Sequence, residues 1–201
     1  MTKTFELTST LTELNRIFNL CNVKYFESKL ETPVIVVQSA RKRRTLGTCS
    51  VNRIWMERET EKNAKHEISI SAEYLNRPIE EIVATLIHEM VHLHNGLNDI
   101  KDTSNNYVYH NKRFKEEAEK RGLIIEKAVT IGWSVTTLKP ETKEVIKGFK
   151  IDEKVFEFYR KGALPIVNVK PSDLTKEEKL ERLYKRMDKL KQKIEQVEAE
   201  G

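Results

Sequence analysis

The sequence predicts an α+β fold. Two stretches carry apolar residues at steps of three and four, the mark of amphipathic helices, and short apolar or alternating runs between and after them read as strands. A heptad pattern near the end adds a C-terminal amphipathic helix. The chain has 201 residues, 38% hydrophobic and 33% charged, which suits one domain with an appendage or two small domains and is too periodic for wholesale disorder.

The elements follow in order. Leu11, Leu14, Ile17, Phe18, Cys21 and Tyr25 form an apolar stripe, so a first helix of about four turns is expected, with Cys21 as a small buried hydrophobe rather than a reactive thiol. Pro33 closes the connection, and Val34–Val37 reads as a largely buried strand. The basic run Arg41-Lys42-Arg43-Arg44 comes next, then Gly47 and a segment of strand character through Ile54 and Trp55. A polar turn spans Glu57–Lys65. His66, Ile68 and Ile70 alternate with polar neighbours as a further strand, which makes His66 a strand-surface histidine.

Pro78 suits the first turn of a second helix, and Glu80 and Glu81 complement its positive end. Ile79, Ile82, Val83, Leu86, Ile87, Met90 and Val91 fill its core face, and it ends near Gly96. A polar loop from Asn98 to Asn106 leads to a shorter helix from about His110 to Arg121, with Phe114 and Ala118 inward and Gly122 as the stop. Val129–Val135 is strand-like, and Val155–Tyr159 fits strand or helix. Pro165 and Pro171 bracket a linker. Thr175 and Glu178 form a capping box, and Leu180, Leu183, Met187, Leu190, Ile194 and Val197 make a short heptad seam. That seam serves docking or self-association. With eight basic and eight acidic residues from Ser172 to Gly201, this helix is not a nucleic-acid arm.

Composition narrows the function classes. No run of about 18 apolar residues occurs, so no membrane span is predicted. The opening residues lack an apolar core before a small-residue cleavage site, and a cytoplasmic protein is expected. Cys21 and Cys49 allow no disulfide framework, and the lack of a Cys-x-x-Cys pair excludes a cysteine-built zinc ribbon. The net charge of +5 permits an acidic partner such as nucleic acid, and lysine-rich solubility accounts for it equally.

Four of the five histidines, His88, His92, His94 and His110, fall within 23 residues. His88-Glu89-Met90-Val91-His92 is an H-E-x-x-H motif. On a helix, i and i+4 share a face, so both imidazoles can bind a single Zn²⁺. Glu89 is then placed to act as general base on the attacking water and to hand the proton to the leaving amine. A catalytic zinc takes three protein ligands and keeps one position open. Asn95 and Asn98 stand where a metzincin would carry Gly and His. His110 is the choice for the third ligand over Glu116 and Glu117, because the polar loop is long enough to return it. His94 points about 200° around the helix from His92 and is expected to be solvated or to sit behind the ligands.

The sequence resembles a SprT-like metalloprotease domain, of the Spartan type. The resemblance runs over roughly residues 8–125. It rests on Tyr25-Phe26 and Leu30 closing the first helix, on Gly47, on Leu86-Ile87-His88-Glu89-Met90-Val91-His92, and on His110-Asn111-Lys112-Arg113-Phe114 ending in Arg121-Gly122-Leu123. It implies a zincin-like minimal metalloprotease core over 1–125, one zinc ion held by His88, His92 and His110, and Glu89 as catalytic acid/base. A small mixed extension and linker (126–171) and the heptad helix (172–201) follow. The family commonly has Gly after its third histidine; Asn111 stands there, and Asn tolerates the same left-handed backbone.

By the same resemblance the substrates are proteins, including proteins on DNA; in this chain the basic run Arg41, Lys42, Arg43 and Arg44 is the candidate for phosphate contacts, with Lys112 and Arg113 in support. Many relatives carry a cysteine zinc ribbon, which this chain lacks, and the basic run reads first as a solvated turn. Two other functions compete. One is a repressor-cleaving metallopeptidase of the ImmA/IrrE type, which Tyr25-Phe26 and His110-x-x-x-Phe114 fit less well. The other is a non-catalytic, metal-stabilised binding module, which would need a fourth protein ligand and has no use for Glu89.

Overall fold

In the computed structural model, residues 6–40, 45–58, 63–161 and Tyr184 are described. Among them lie four helices and two small mixed sheets, the α+β class that the sequence predicts. The backbone divides into a body, Met1–Ile166, and a second unit, Val167–Gly201, of which Tyr184 alone is described. The linker, the capping box, the heptad seam and Arg41–Arg44 lie outside the described residues.

Helix α1 (Leu7–Phe26) buries Leu14, Ile17, Phe18 and Cys21 completely. Its end is fixed by Glu27 in the left-handed region (φ 56°), where the N–H bonds back to the Asn22 carbonyl. Asn22 then grips the connection that follows, donating to the Leu30 carbonyl at 2.9 Å and accepting from its N–H at 3.1 Å.

Strand β1 (Val34–Gln38) pairs in parallel with β3 (Glu67–Ser71), and the short β2 (Gly47–Cys49) runs antiparallel along the other side of β3. Three expectations change here. Within β1, Ile35 is buried and its neighbours are half-buried. Strand character stops at Cys49: Ile54 and Trp55 are exposed, and Trp55 forms only an isolated bridge to Lys65. His66 is buried rather than on the strand surface, and its Nδ1 donates to the Ser50 carbonyl at 3.0 Å.

The 3₁₀ turn Ala72–Tyr74 carries a buried carboxylate. Glu73 accepts from Ser39 Oγ (2.6 Å), from the Ala40 N–H (2.9 Å) and from Arg160 (3.0 Å), tying the loop after β1 to the end of the described body. Burial pushes its pKa up, but these hydrogen bonds outweigh it and hold the group at about 2. A carboxyl depressed in the folded state contributes fully above its ordinary pKa of 4.5 and progressively less as the pH falls toward 2. Glu73→Gln is therefore expected to lower stability by ~1–3 kcal/mol at neutral pH, with the gap from wild type closing in acid. Denaturant unfolding at neutral and acidic pH checks this.

Helix α2 (Ile79–Leu97) is the central element. It packs on α1, on α3 and on strands of both sheets, which is why Thr85, Glu89 and Asn95 are buried along with its apolar face. Pro78 immediately precedes its first turn as the N-cap residue. The loop that follows holds a two-residue hairpin, β4 (Thr103–Ser104) and β5 (Tyr109–His110), before α3 (Lys112–Lys120). His110 thus ends a strand and does not begin the helix. Asn111 is extended (φ −92°, ψ −175°) and caps α3, accepting from the N–H groups of Arg113 and Phe114, so its side chain and not a left-handed backbone is what it supplies. Phe114 and Ala118 are fully buried, and Gly122 (φ 81°) ends the helix, as expected.

Strands β6 (Leu123–Ala128) and β7 (Gly132–Leu138) form an antiparallel hairpin, and the second sheet has the order β4-β5-β7-β6. The strand expected over Val129–Val135 begins only at Gly132; Val129–Ile131 is the turn before it. Helix α4 (Pro140–Gly148) packs through Thr142 and Ile146, and the segment after it returns to α1, where Thr10 Oγ1 donates to the Val155 carbonyl at 2.7 Å. Glu153–Phe156 is a 3₁₀ turn with Phe156 buried, closer to the helical alternative for that stretch. No described helix is long and apolar enough to cross a membrane.

Candidate metal centre

Helix α2 presents His88 and His92 one turn apart, and β5 brings His110 over them. His110 Nε2 lies 3.2 Å from His88 Nε2 and 3.1 Å from His92 Nε2. Phe114 forms the floor, with ring centroids 4.5, 4.6 and 4.8 Å from those of His88, His92 and His110.

The partners at the far side of each ring fix its tautomer. His110 Nδ1 faces the Ile131 carbonyl at 3.2 Å, and His92 Nδ1 faces Asp102 Oδ2 at 2.7 Å; both partners only accept, so both Nδ1 atoms carry the proton. His88 Nδ1 is 2.8 Å from Thr136 Oγ1, whose own proton goes to the Ser134 carbonyl at 3.2 Å, so this Nδ1 also donates. Three Nε2 atoms are thereby turned toward one another, with each Nδ1 already engaged. Such a convergence is repulsive without a cation and is what a tetrahedral ion with bonds of about 2.0–2.1 Å requires, since its nitrogens stand about 3.3 Å apart. These three residues form the metal-capable group among the described residues.

The electrostatics differ among the three rings. Burial, with His92 and His110 close by, keeps His88 well below its ordinary pKa, and burial beside His92 lowers His110 to about 4. Both rings are therefore neutral, as ligands must be. At His92 burial opposes the charge, but the Asp102 carboxylate outweighs it and raises the pKa.

Glu89 is buried beside the cluster, and burial, reinforced by Asp102 against the opposing pull of His92, raises its pKa to about 7. Such a group can both take and return a proton near neutral pH. Gly47 of β2 packs directly on it: a methyl group at 47 would stand 2.9 Å from Glu89 Oε1 and 3.0 Å from Thr85 Cγ2. Only glycine leaves that carboxylate its place.

His88, Glu89, His92 and His110, all singled out from the sequence, thus meet at one place. His94 does not join them. It accepts from Arg121 Nη2 at 2.6 Å against the ring of Phe26, so it is neither solvated nor behind the ligands. Glu117 is taken by Lys120 and Arg121, and Glu116 is exposed. Lys112 and Arg113 are exposed at the start of α3. Sequence reasoning missed Asp102, Thr136 and the Ile131 carbonyl. Asp102 stood in a polar loop with no periodic signal, and Thr136 in a stretch whose strand was misplaced.

No curated protein and no solved structure matches this chain. The SprT-like family model matches residues 14–134, more than half of the chain, and that span holds the three histidines, Glu89, Asp102 and Gly47. SprT-like domains are associated with metallopeptidase activity, and a three-histidine group that could hold a metal ion is consistent with that. The chain belongs to the SprT-like family.

Proposed function

We propose that this protein is a zinc-dependent endopeptidase of the SprT-like class, built on a zincin-like core. The observation that carries the reading is the convergence of three Nε2 atoms, each with its Nδ1 engaged by a hydrogen-bond partner, beside the buried carboxyl of Glu89. A set of three imidazoles suits zinc, and with three protein donors a fourth position stays free for chemistry. Zinc so held supplies a Lewis acid and lowers the pKa of water. His88, His92 and His110 hold the ion, with their tautomers locked by Thr136, Asp102 and the Ile131 carbonyl. Glu89 takes a proton from the attacking water and passes it to the departing amine nitrogen.

Strand β2 supports a peptide substrate. It is the last strand of its sheet among the described residues, it packs on α2, and its Gly47 touches Glu89. An extended chain can add to such an edge and pass the carboxylate. The three-ligand set and Glu89 favour catalysis over a metal-stabilised binding module, and the family match favours this class over the ImmA/IrrE type. The test is digestion of an unfolded protein by the zinc-loaded full chain, with products identified by mass; cuts at internal bonds are expected, and intact substrate rejects the reading.

DNA-associated proteins are the substrate class we propose for it, through phosphate contacts by Arg41, Lys42, Arg43 and Arg44. Replacing all four is expected to weaken DNA binding without regard to base sequence and to flatten its salt dependence, measured by fluorescence anisotropy.

A further inference from the structure

The segment between His92 and His110 is tied at both ends to the ligands it separates. Asp102 is buried, and its Oδ2 accepts from His92 Nδ1 at 2.7 Å and from Asn95 Nδ2 at 3.0 Å. The backbone carbonyl of the same residue accepts from the N–H of Asn111, the residue after His110, at 2.9 Å. Asn111 Nδ2 donates in turn to the Lys101 carbonyl at 2.8 Å, while its Oδ1 accepts from the N–H groups of Arg113 and Phe114 at 2.8 and 3.3 Å. Donors on one side and an acceptor on the other leave that amide one orientation. Residues 101 and 102 therefore hold His92 by a side chain and the neighbour of His110 by two carbonyls. The pairing of Thr103 with His110 across β4 and β5 closes the unit.

We propose that Asp102 and Asn111 form a brace that sets how tightly, and for how long, the protein keeps its metal ion. The inference rests on the metal-centre reading. Both are positioning residues. Asp102 fixes the ring angle and tautomer of His92 and makes its Nε2 a better donor. Asn111 fixes His110 against the same loop, so the two ligands move together or not at all.

The test uses the full chain and zinc alone. Zinc affinity is read by competition with a chromophoric chelator, zinc release by adding that chelator in excess, and the thermal midpoint of each metal-free form in parallel. Asp102→Ala is expected to weaken zinc binding about 10–100-fold. Asp102→Asn should fall between it and wild type, because the amide still accepts from His92. Asn111→Ser keeps a side-chain cap for α3 but is too short to reach Lys101, so its metal-free midpoint should hold while zinc leaves several-fold faster. The Asp102→Ala/Asn111→Ser pair should cost less than the product of the single effects, because both break one brace. Variants that bind and release zinc like wild type overturn the brace alone, as do single effects that multiply. A wild type that takes up no zinc overturns the metal-centre reading with it.

Discussion

Glu89→Gln is expected to abolish peptide cleavage while leaving the fold and the zinc in place. The amide has nearly the volume of the carboxyl and can still accept a hydrogen bond, but it cannot take a proton. Removing a general base costs roughly 10²–10⁴-fold in rate. Stability should hold, because burial already raises the Glu89 carboxyl to about 7, so a neutral group there adds no charge to desolvate. Turnover, zinc content and thermal midpoint measured on the same preparation separate these effects. Activity within a few-fold of wild type would remove Glu89 from the mechanism.

His110→Ala should all but eliminate zinc retention. Its Nε2 stands 3.1–3.2 Å from both partners and comes from β5, the only ligand of the group not on α2, so no neighbouring side chain replaces it. The loss should exceed the roughly 10–100-fold typical of losing a partner behind a ligand. His94→Ala is the matched control: it removes an imidazole two residues from His92 that faces Arg121, and zinc binding should not change. Retention by His110→Ala equal to wild type would break the ligand assignment.

How far the sequence could be read depended on periodicity. Helices α1 and α2 have long apolar stripes most of whose members are buried, so both are legible. The H-E-x-x-H pair was legible for the same reason, since a helix fixes the relation of i to i+4. Strand β6 buries Leu123 and Ile125 but exposes Ile124, which hides its alternation, and α4 buries only Thr142 and Ile146. His110 lies in the cluster but on a strand rather than on the expected helix, because a two-residue strand leaves no pattern in the sequence. Asn111 was read for its backbone when its side chain is what the fold uses. Thr136 meets His88 across 48 residues of sequence, and nothing local to either residue announces that contact.

Zinc-dependent peptide cleavage by this protein is tested most directly by one titration. Zinc-stripped full-length protein is reloaded stepwise with Zn²⁺ while cleavage of an unfolded protein is followed. Cleavage should rise in proportion to bound zinc and level off at one ion per chain, with Glu89→Gln tracing the same zinc curve and cutting nothing. Cleavage that persists in the stripped chain, or a fully loaded wild type that leaves the substrate intact, would contradict it.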